Sequence, residues 1–84
     1  MRIWIENIAA GTNDEEIKEL VRKYAPELIC ESIMRVEGTG SHPGAILQLI
    51  GGTIASPANL CRRLNGMYWK QRGLACFKIG TFER

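Results

Sequence analysis

Aromatic and charged side chains at alternate positions are the residues of this sequence best suited to binding a ligand. Trp4 lies between Arg2 and Glu6 in the alternating segment 2–8, and Phe77 lies in a second apolar segment near the other end of the chain. Aromatic rings stack on planar ligands, whereas guanidinium groups pair with anions. This chemistry serves noncovalent binding.

Residue types that carry catalysis or hold metals are sparse. His42 is the single histidine, and its glycine-rich surroundings indicate a surface residue. Cys30, Cys61 and Cys76 lack the close spacing of a zinc or redox motif, so we expect buried, reduced thiols. No nucleophile–base pair, carboxylate dyad or metal cluster is visible, and we predict a protein that is not an enzyme and needs no cofactor.

Length and composition favour one small domain, residues 1–84. The net charge is only +2, so any attraction to phosphate should be modest and local. No segment is long and apolar enough to span a bilayer, and the first residues do not resemble a signal peptide. We therefore expect a cytoplasmic protein without membrane contact.

Alternating and apolar segments predict four strands. In segment 2–8, Ile3 and Ile5 should point inward and Trp4 outward. Segment 45–50 is typical of a central strand, and segment 74–82 is the last strand.

The second strand, segment 29–37, has an uncertain register. We favour Met34 and Val36 inward, which leaves Ile33 and Arg35 on the opposite face.

Two helices are predicted between these strands. Thr12 and Glu15 fit a capping box, and an apolar stripe at helical spacing follows it: Ile17, Leu20, Val21 and Tyr24. Ser56 as N-cap, followed by Pro57 at the first helical position, indicates the start of the second helix, and Asn65-Gly66 its end. Residues 67–71 could add a short hairpin arm.

The resulting order is β-α-β-β-α-β. Two right-handed crossovers put both helices on one face of a four-stranded antiparallel sheet. The predicted class is therefore α+β, a ferredoxin-like sandwich whose other sheet face is open.

Three motifs make the sequence resemble the RNA recognition motif family. Segment 3–8 matches the first signature of that family: apolar, aromatic, apolar, any, Asn, apolar. Segment 60–66 resembles its second helix with the closing Leu-Asn-Gly, and segment 72–74 resembles the approach to its last strand. The resemblance covers nearly the whole chain and implies binding of single-stranded RNA on the open face.

The second signature of the family is degenerate in this sequence. In the alignment of segment 42–49, the small residue is kept as Ala45, but Gly44, Ile46 and Leu49 replace aromatics. By the family pattern, the first two positions would stack on bases and the third would face the core. Weak binding of two or three nucleotides is therefore the expectation.

The residues expected to contact RNA come from all four strands. Trp4 is the expected stacking platform and Phe77 a second one, with burial under a loop or in the core as the respective alternatives. The two arginines could meet phosphates or keep the face soluble, and Gln48 could read a base edge or remain solvated. The full predicted set is Arg2, Trp4, Arg35, Ile46, Gln48 and Phe77.

A protein-interaction module is the competing interpretation. An apolar open face with few stacking aromatics suits a protein partner or a second copy of the chain. One subfamily captures a partner through Arg-x-Phe after the second helix; here Met67-Tyr68-Trp69 keeps an aromatic residue but not the arginine.

Overall fold

The first strand lies in the interior of a four-stranded antiparallel sheet. The computed structural model describes residues 1–36 and 43–79. Its elements are β1 (Arg2–Glu6), α1 (Asp14–Tyr24), β2 (Leu28–Val36), β3 (Gly44–Gly51), α2 (Ser56–Leu64), β4 (Tyr68–Trp69), β5 (Arg72–Gly73) and β6 (Ala75–Lys78). The strand order in the main sheet is β2-β3-β1-β6, with β4 and β5 forming a separate hairpin. The predicted ferredoxin-like βαββαβ fold is confirmed.

The core fills the space between the two helices and one face of the sheet. Ile3 and Ile5 are fully buried, as the alternation in β1 predicts. The other buried apolar side chains that meet them come from every main element: Ile17, Leu20 and Val21 of α1, Leu28 of β2, Ala45, Leu47 and Leu49 of β3, Leu60, Cys61 and Leu64 of α2, and Cys76 of β6. Within residues 1–36 and 43–79, no helix packs on the opposite face of the sheet, which we call the open face.

Helix α1 begins one residue later than predicted. Asn13 is the N-cap: its Oδ1 accepts from the Glu16 amide at 2.8 Å, and Glu16 Oε1 accepts from the Asn13 amide at 2.9 Å. The capping box is therefore Asn13–Glu16, and the prediction of Thr12 with Glu15 is wrong. Thr12 is instead buried, and its hydroxyl donates to the Ala9 carbonyl at 2.7 Å.

Helix α2 begins at Ser56, which is inside the helix rather than its N-cap. The Ser56 hydroxyl accepts from the Thr53 amide at 2.9 Å, and Ala55 takes the N-cap position without a side-chain bond. The predicted end is confirmed, with Asn65 as C-cap and Gly66 in the left-handed region at φ 85°.

The short arm predicted after α2 is the β4–β5 hairpin. Tyr68 pairs with Gly73 and Trp69 with Arg72. Lys70 and Gln71 between them both have positive φ, 54° and 67°, as a two-residue type I′ turn requires.

The predicted register of β2 is wrong. Glu31 has no partner in β3, because Cys30 pairs with Leu49 and Ser32 with Gln48. One extra residue in a strand reverses the alternation that follows it. Met34 is consequently 62% exposed, and Ile33 packs against the core.

Some predictions lie outside the described residues. These are the turn over 38–42, including His42, and the last strand beyond Ile79. Within residues 1–36 and 43–79, no helix is long and apolar enough to cross a membrane.

Candidate functional site

Trp4 is at the centre of an apolar row that crosses all four strands on the open face. It pairs with Ile46 of β3 on one side and with Phe77 of β6 on the other. Ile46 in turn pairs with Met34 of β2. Directly paired residues of antiparallel strands have side chains on the same face, so Met34, Ile46, Trp4 and Phe77 are neighbours. We call this set the apolar row.

The ends of the apolar row are the most exposed. Met34 is 62% and Phe77 51% exposed, while Trp4 and Ile46 are half-buried. Ile29 and Ile50 form another exposed apolar pair on this face, further along β2 and β3. The sheet therefore presents two aromatic rings together with several aliphatic side chains.

The six-membered ring of the Trp4 indole lies against Gly44, toward the Glu6 end of β1. A Cβ built on Gly44 would be 2.5 Å from Trp4 Cη2 and 2.6 Å from the Ile5 carbonyl oxygen. The ring could move, but the backbone oxygen cannot, so a larger residue does not fit at this position. Trp4 Nε1 donates to Glu6 Oε1 at 3.1 Å and fixes the ring on that side. The half-buried indole thus covers the position where the family pattern places an aromatic residue on β3.

Polar side chains flank the apolar row on the side away from Glu6 and Gly44. Arg2 pairs with Gln48, and Gln48 pairs with Ser32. Arg2 is exposed and Gln48 is half-buried. Five of the six predicted site residues therefore share one face: Arg2, Trp4, Ile46, Gln48 and Phe77.

Arg35, the sixth predicted residue, is on the helix side of the sheet. Its Nη1 donates to the Thr12 carbonyl at 3.0 Å and to Asp14 Oδ1 at 3.2 Å. The prediction that Arg35 shares a face with Trp4 is wrong, because the irregularity at Glu31 turns Arg35 toward α1. Its guanidinium ties the start of α1 to β2.

Met34 is the residue of the open face that the sequence reasoning missed. A signal was present in the spacing of the inward residues of β2. Leu28 and Cys30 are two residues apart, but the next residue packed on the core, Ile33, follows after three. A spacing of three within a strand indicates one inserted residue.

Asn7 directly follows β1 and holds the β4–β5 hairpin beside the sheet. It has a positive φ of 70°, which asparagine tolerates better than most residues. Its Nδ2 donates to the Gly73 carbonyl at 3.0 Å, and its Oδ1 accepts from Arg72 Nη1 at 2.7 Å. The asparagine of the first signature is therefore a structural residue here.

The hairpin carries the second tryptophan away from the open face. Trp69 packs on the edge of the core and lines a groove of about 400 Å³ with Leu20 and Tyr24 of α1. Lys70 Nζ, 5.6 Å from the Trp69 ring centre, bonds Glu16 Oε2 at 2.9 Å. That bond is the main reason why the pKa of Glu16 is lowered, with the capping bond from Asn13 adding to it.

Two cysteines meet between α2 and β6. The thiol of Cys76 donates to Cys61 Sγ at 3.1 Å, and this bond, followed by burial, raises the pKa of Cys76. The same bond lowers the pKa of Cys61, which accepts it. Cys30 lies apart on β2, and burial raises the pKa of its thiol. In the part of the chain that the structure describes, no three potential metal ligands come together.

Comparisons with solved structures identify the fold. The chain is similar to Pes4 RRM3, with a TM-score of 0.75, 18% identity, and coverage of 99% of this chain and 95% of that one. It is also similar to the N-terminal three RNA-binding domains of the yeast splicing factor Prp24, with a TM-score of 0.74, 14% identity, and coverage of 96% of this chain and 31% of that one.

A third similar structure is the Rna15 RRM with bound RNA (GU). Its TM-score is 0.71 at 18% identity, over 95% of this chain and 83% of that one. No protein-family model matches the chain, and no curated protein matches its sequence. These likenesses establish the fold of the RNA recognition motif.

Proposed function

We propose that this protein binds short single-stranded RNA on its open sheet face. Trp4 is the central stacking platform, and Phe77 is a second platform beside it. The observation that carries the proposal is the direct pairing of Trp4 with Phe77 on adjacent strands, with Phe77 51% exposed. Two adjacent rings on the open face suit two successive unpaired bases.

Polar residues beside the rings support the same ligand. Arg2 is an exposed residue whose guanidinium can bond a phosphate, and Gln48 has an amide that can bond a base edge. The neighbour described with bound RNA, the Rna15 RRM, supports RNA as a ligand for this fold. Arg35 is not included, since its guanidinium is bonded to Asp14 on the helix side.

Binding should be weak and salt-sensitive. A stacked base contributes about 1–3 kcal/mol, and two bases with one or two phosphate contacts give a dissociation constant of roughly micromolar or above. The net charge of +2 adds little long-range attraction. We propose this role for a cytoplasmic protein without catalytic activity.

Fluorescence anisotropy with a labelled single-stranded RNA of about seven nucleotides tests the proposal. Trp4→Ala should weaken binding roughly tenfold to a hundredfold, the loss expected for one stacked base. Tyr68→Ala is the matched control, because Tyr68 is an aromatic residue, 73% exposed, in the hairpin rather than on the open face. Equal loss in both variants, or no loss in Trp4→Ala, would contradict the proposal.

A protein-interaction or self-association role through the same face is the second candidate. It is favoured by exposed aliphatic residues beside the rings, with Met34 62%, Ile29 60% and Ile50 43% exposed. Large exposed apolar patches often mark protein contacts. Light scattering across a wide range of protein concentration shows whether the protein forms a dimer. If it does so through this face, Met34→Lys should abolish the dimer, while RNA affinity measured by anisotropy should remain.

A further inference from the structure

Glu6 has an ionisable side chain that bonds the Trp4 indole directly. On the open face it pairs with Gly44 on one side and Ala75 on the other, neither of which has a long side chain. The half-buried carboxylate therefore stands beside the stacking platform without being covered by its cross-strand neighbours.

One oxygen of this carboxylate is held and the other is available. Glu6 Oε1 accepts from Trp4 Nε1 at 3.1 Å, which fixes the carboxylate relative to the indole. Across residues 1–36 and 43–79, Trp4 is the one hydrogen-bond partner of the Glu6 side chain. A carboxylate has about four acceptor positions, so most of its capacity is left for water or a ligand.

The chemistry of a carboxylate discriminates among the four bases, because it accepts hydrogen bonds and donates none. Guanine has two adjacent donors on its Watson–Crick edge, N1–H and the N2 amine. Uracil has one donor, N3–H, between two carbonyl oxygens that a carboxylate repels. Adenine and cytosine each have one amine beside a ring nitrogen that is an acceptor.

We propose that Glu6 makes the Trp4 site selective for guanine. This inference rests on the proposed RNA-binding function and adds the identity of the base to it. A guanine stacked on the indole would direct its N1–H and N2 amine to the carboxylate. Repulsion between Glu6 and the RNA phosphates lowers affinity for every sequence, so it does not remove the difference between bases.

Binding of the whole protein to four pentanucleotides, UUNUU with each base at N, tests the inference. UUGUU should bind roughly tenfold to a hundredfold more tightly than UUUUU, as expected for a good bidentate pair. Replacing the guanine by inosine, which lacks the N2 amine, should give an intermediate affinity.

Glu6→Gln is the decisive variant. The glutamine can still accept from Trp4 Nε1, but it turns an amide donor toward the base in place of a carboxylate oxygen. The preference for guanine should disappear, and UUUUU should bind at least as well as UUGUU. The chemical shift of the Trp4 indole N–H checks that the ring has kept its position.

The outcomes separate this inference from the function on which it rests. Equal binding of all four RNAs by the unaltered protein, or a guanine preference that survives Glu6→Gln, would overturn the role of Glu6 while leaving RNA binding in place. Absence of binding to all four RNAs would overturn both.

Discussion

Trp4 lies over Gly44 so closely that a Cβ on Gly44 would be 2.5 Å from Trp4 Cη2. The Trp4 ring of β1 can therefore take this position only because residue 44 of β3 has no side chain. A single indole, held by Glu6, covers the place of an aromatic residue that the sequence lacks. The two β3 positions that lack the aromatic residues of the family pattern therefore differ. Gly44 is covered by the Trp4 ring, whereas Ile46 can be replaced by a larger residue.

Restoring an aromatic residue at position 44 should therefore not restore RNA affinity. Gly44→Phe would push the Trp4 indole away and would also collide with the Ile5 carbonyl oxygen, 2.6 Å from a Cβ at this position. We expect weaker binding together with a destabilisation of about 1–3 kcal/mol. Urea unfolding measures the stability, and the Trp4 indole N–H resonance reports the displaced ring.

Ile46→Phe is the matched variant, because Ile46 is half-buried on the same face beside Trp4. A third ring there should tighten RNA binding by roughly 1–3 kcal/mol, the contribution of one more stacked base. Tighter binding by Gly44→Phe, or no gain from Ile46→Phe, would contradict this description of the face.

Arg2 and Arg35 should behave differently when each is replaced by glutamine. Arg35→Gln loses the bonds to Thr12 and Asp14 and should cost about 0.5–1 kcal/mol of folding stability at this partly exposed site, with RNA affinity unchanged. The Arg2→Gln protein should have unchanged folding stability and bind RNA more weakly. Its salt dependence should also be shallower, by about one unit of slope for one lost phosphate contact.

Binding measured between about 50 and 200 mM salt separates the two arginines. A loss of RNA affinity in Arg35→Gln equal to that in Arg2→Gln would mean that the helix side of β2 takes part in binding.

The sequence is sufficient to predict the fold, because the periodicity of most of its strands and helices agrees with one arrangement. Strand alternation predicts Ile3 and Ile5 inward and Trp4 outward, and the structure confirms this together with the apolar stripe in α1 and the end of α2 at Asn65-Gly66. These features depend on periodicity and turn chemistry, which are local properties of the chain.

The wrong predictions concern features that the regular two-residue alternation of a strand cannot show. Glu31 is one unpaired residue, yet it reverses the faces of Met34 and Arg35. The position of the Trp4 ring could not be predicted from the sequence either. It depends on the space over Gly44 and on the bond to Glu6, which exist only once the strands have paired. Both the false site residue and the missed one follow from the irregularity in β2.

Glu16 should contribute stability that depends on pH. Its pKa is lowered from the usual 4.5, first by the hydrogen bond from Lys70 and then by the Asn13 amide. A lowered pKa gives stabilisation that is fully present above about pH 4.5 and is lost as the pH falls through the folded-state value. The stability difference between the protein and Glu16→Gln should therefore be present at neutral pH and vanish in acid.

Glu15→Gln is the control for this titration. Glu15 is in the same first turn of α1, so it shares the helix dipole, but Lys70 bonds Glu16 instead. Thermal unfolding from neutral pH to about pH 3 should show a larger pH-dependent difference for Glu16→Gln. Parallel behaviour of the two variants would argue against the Lys70 contact.

The three cysteines should differ in their reaction with iodoacetamide. Cys30 is half-buried, whereas Cys61 and Cys76 are 8% and 3% exposed. The native protein should accept one label, at Cys30, and should do so faster as the pH rises, because burial raises the pKa of that thiol and the thiolate is the nucleophile. Intact mass under native and denaturing conditions counts the labels, and early labelling of Cys61 or Cys76 would contradict the packing of α2 on β6.

A chemical-shift titration of the ¹⁵N-labelled protein with a short single-stranded RNA tests the central claim most directly. We predict salt-sensitive shifts of the Trp4 indole N–H and of amides in β1, β3 and β6, while the Trp69 indole in the β4–β5 hairpin stays in place. The shifts should be lost in Trp4→Ala. Shifts confined to Trp69 and α1, or no shifts at high RNA concentration, would contradict RNA binding by the open face.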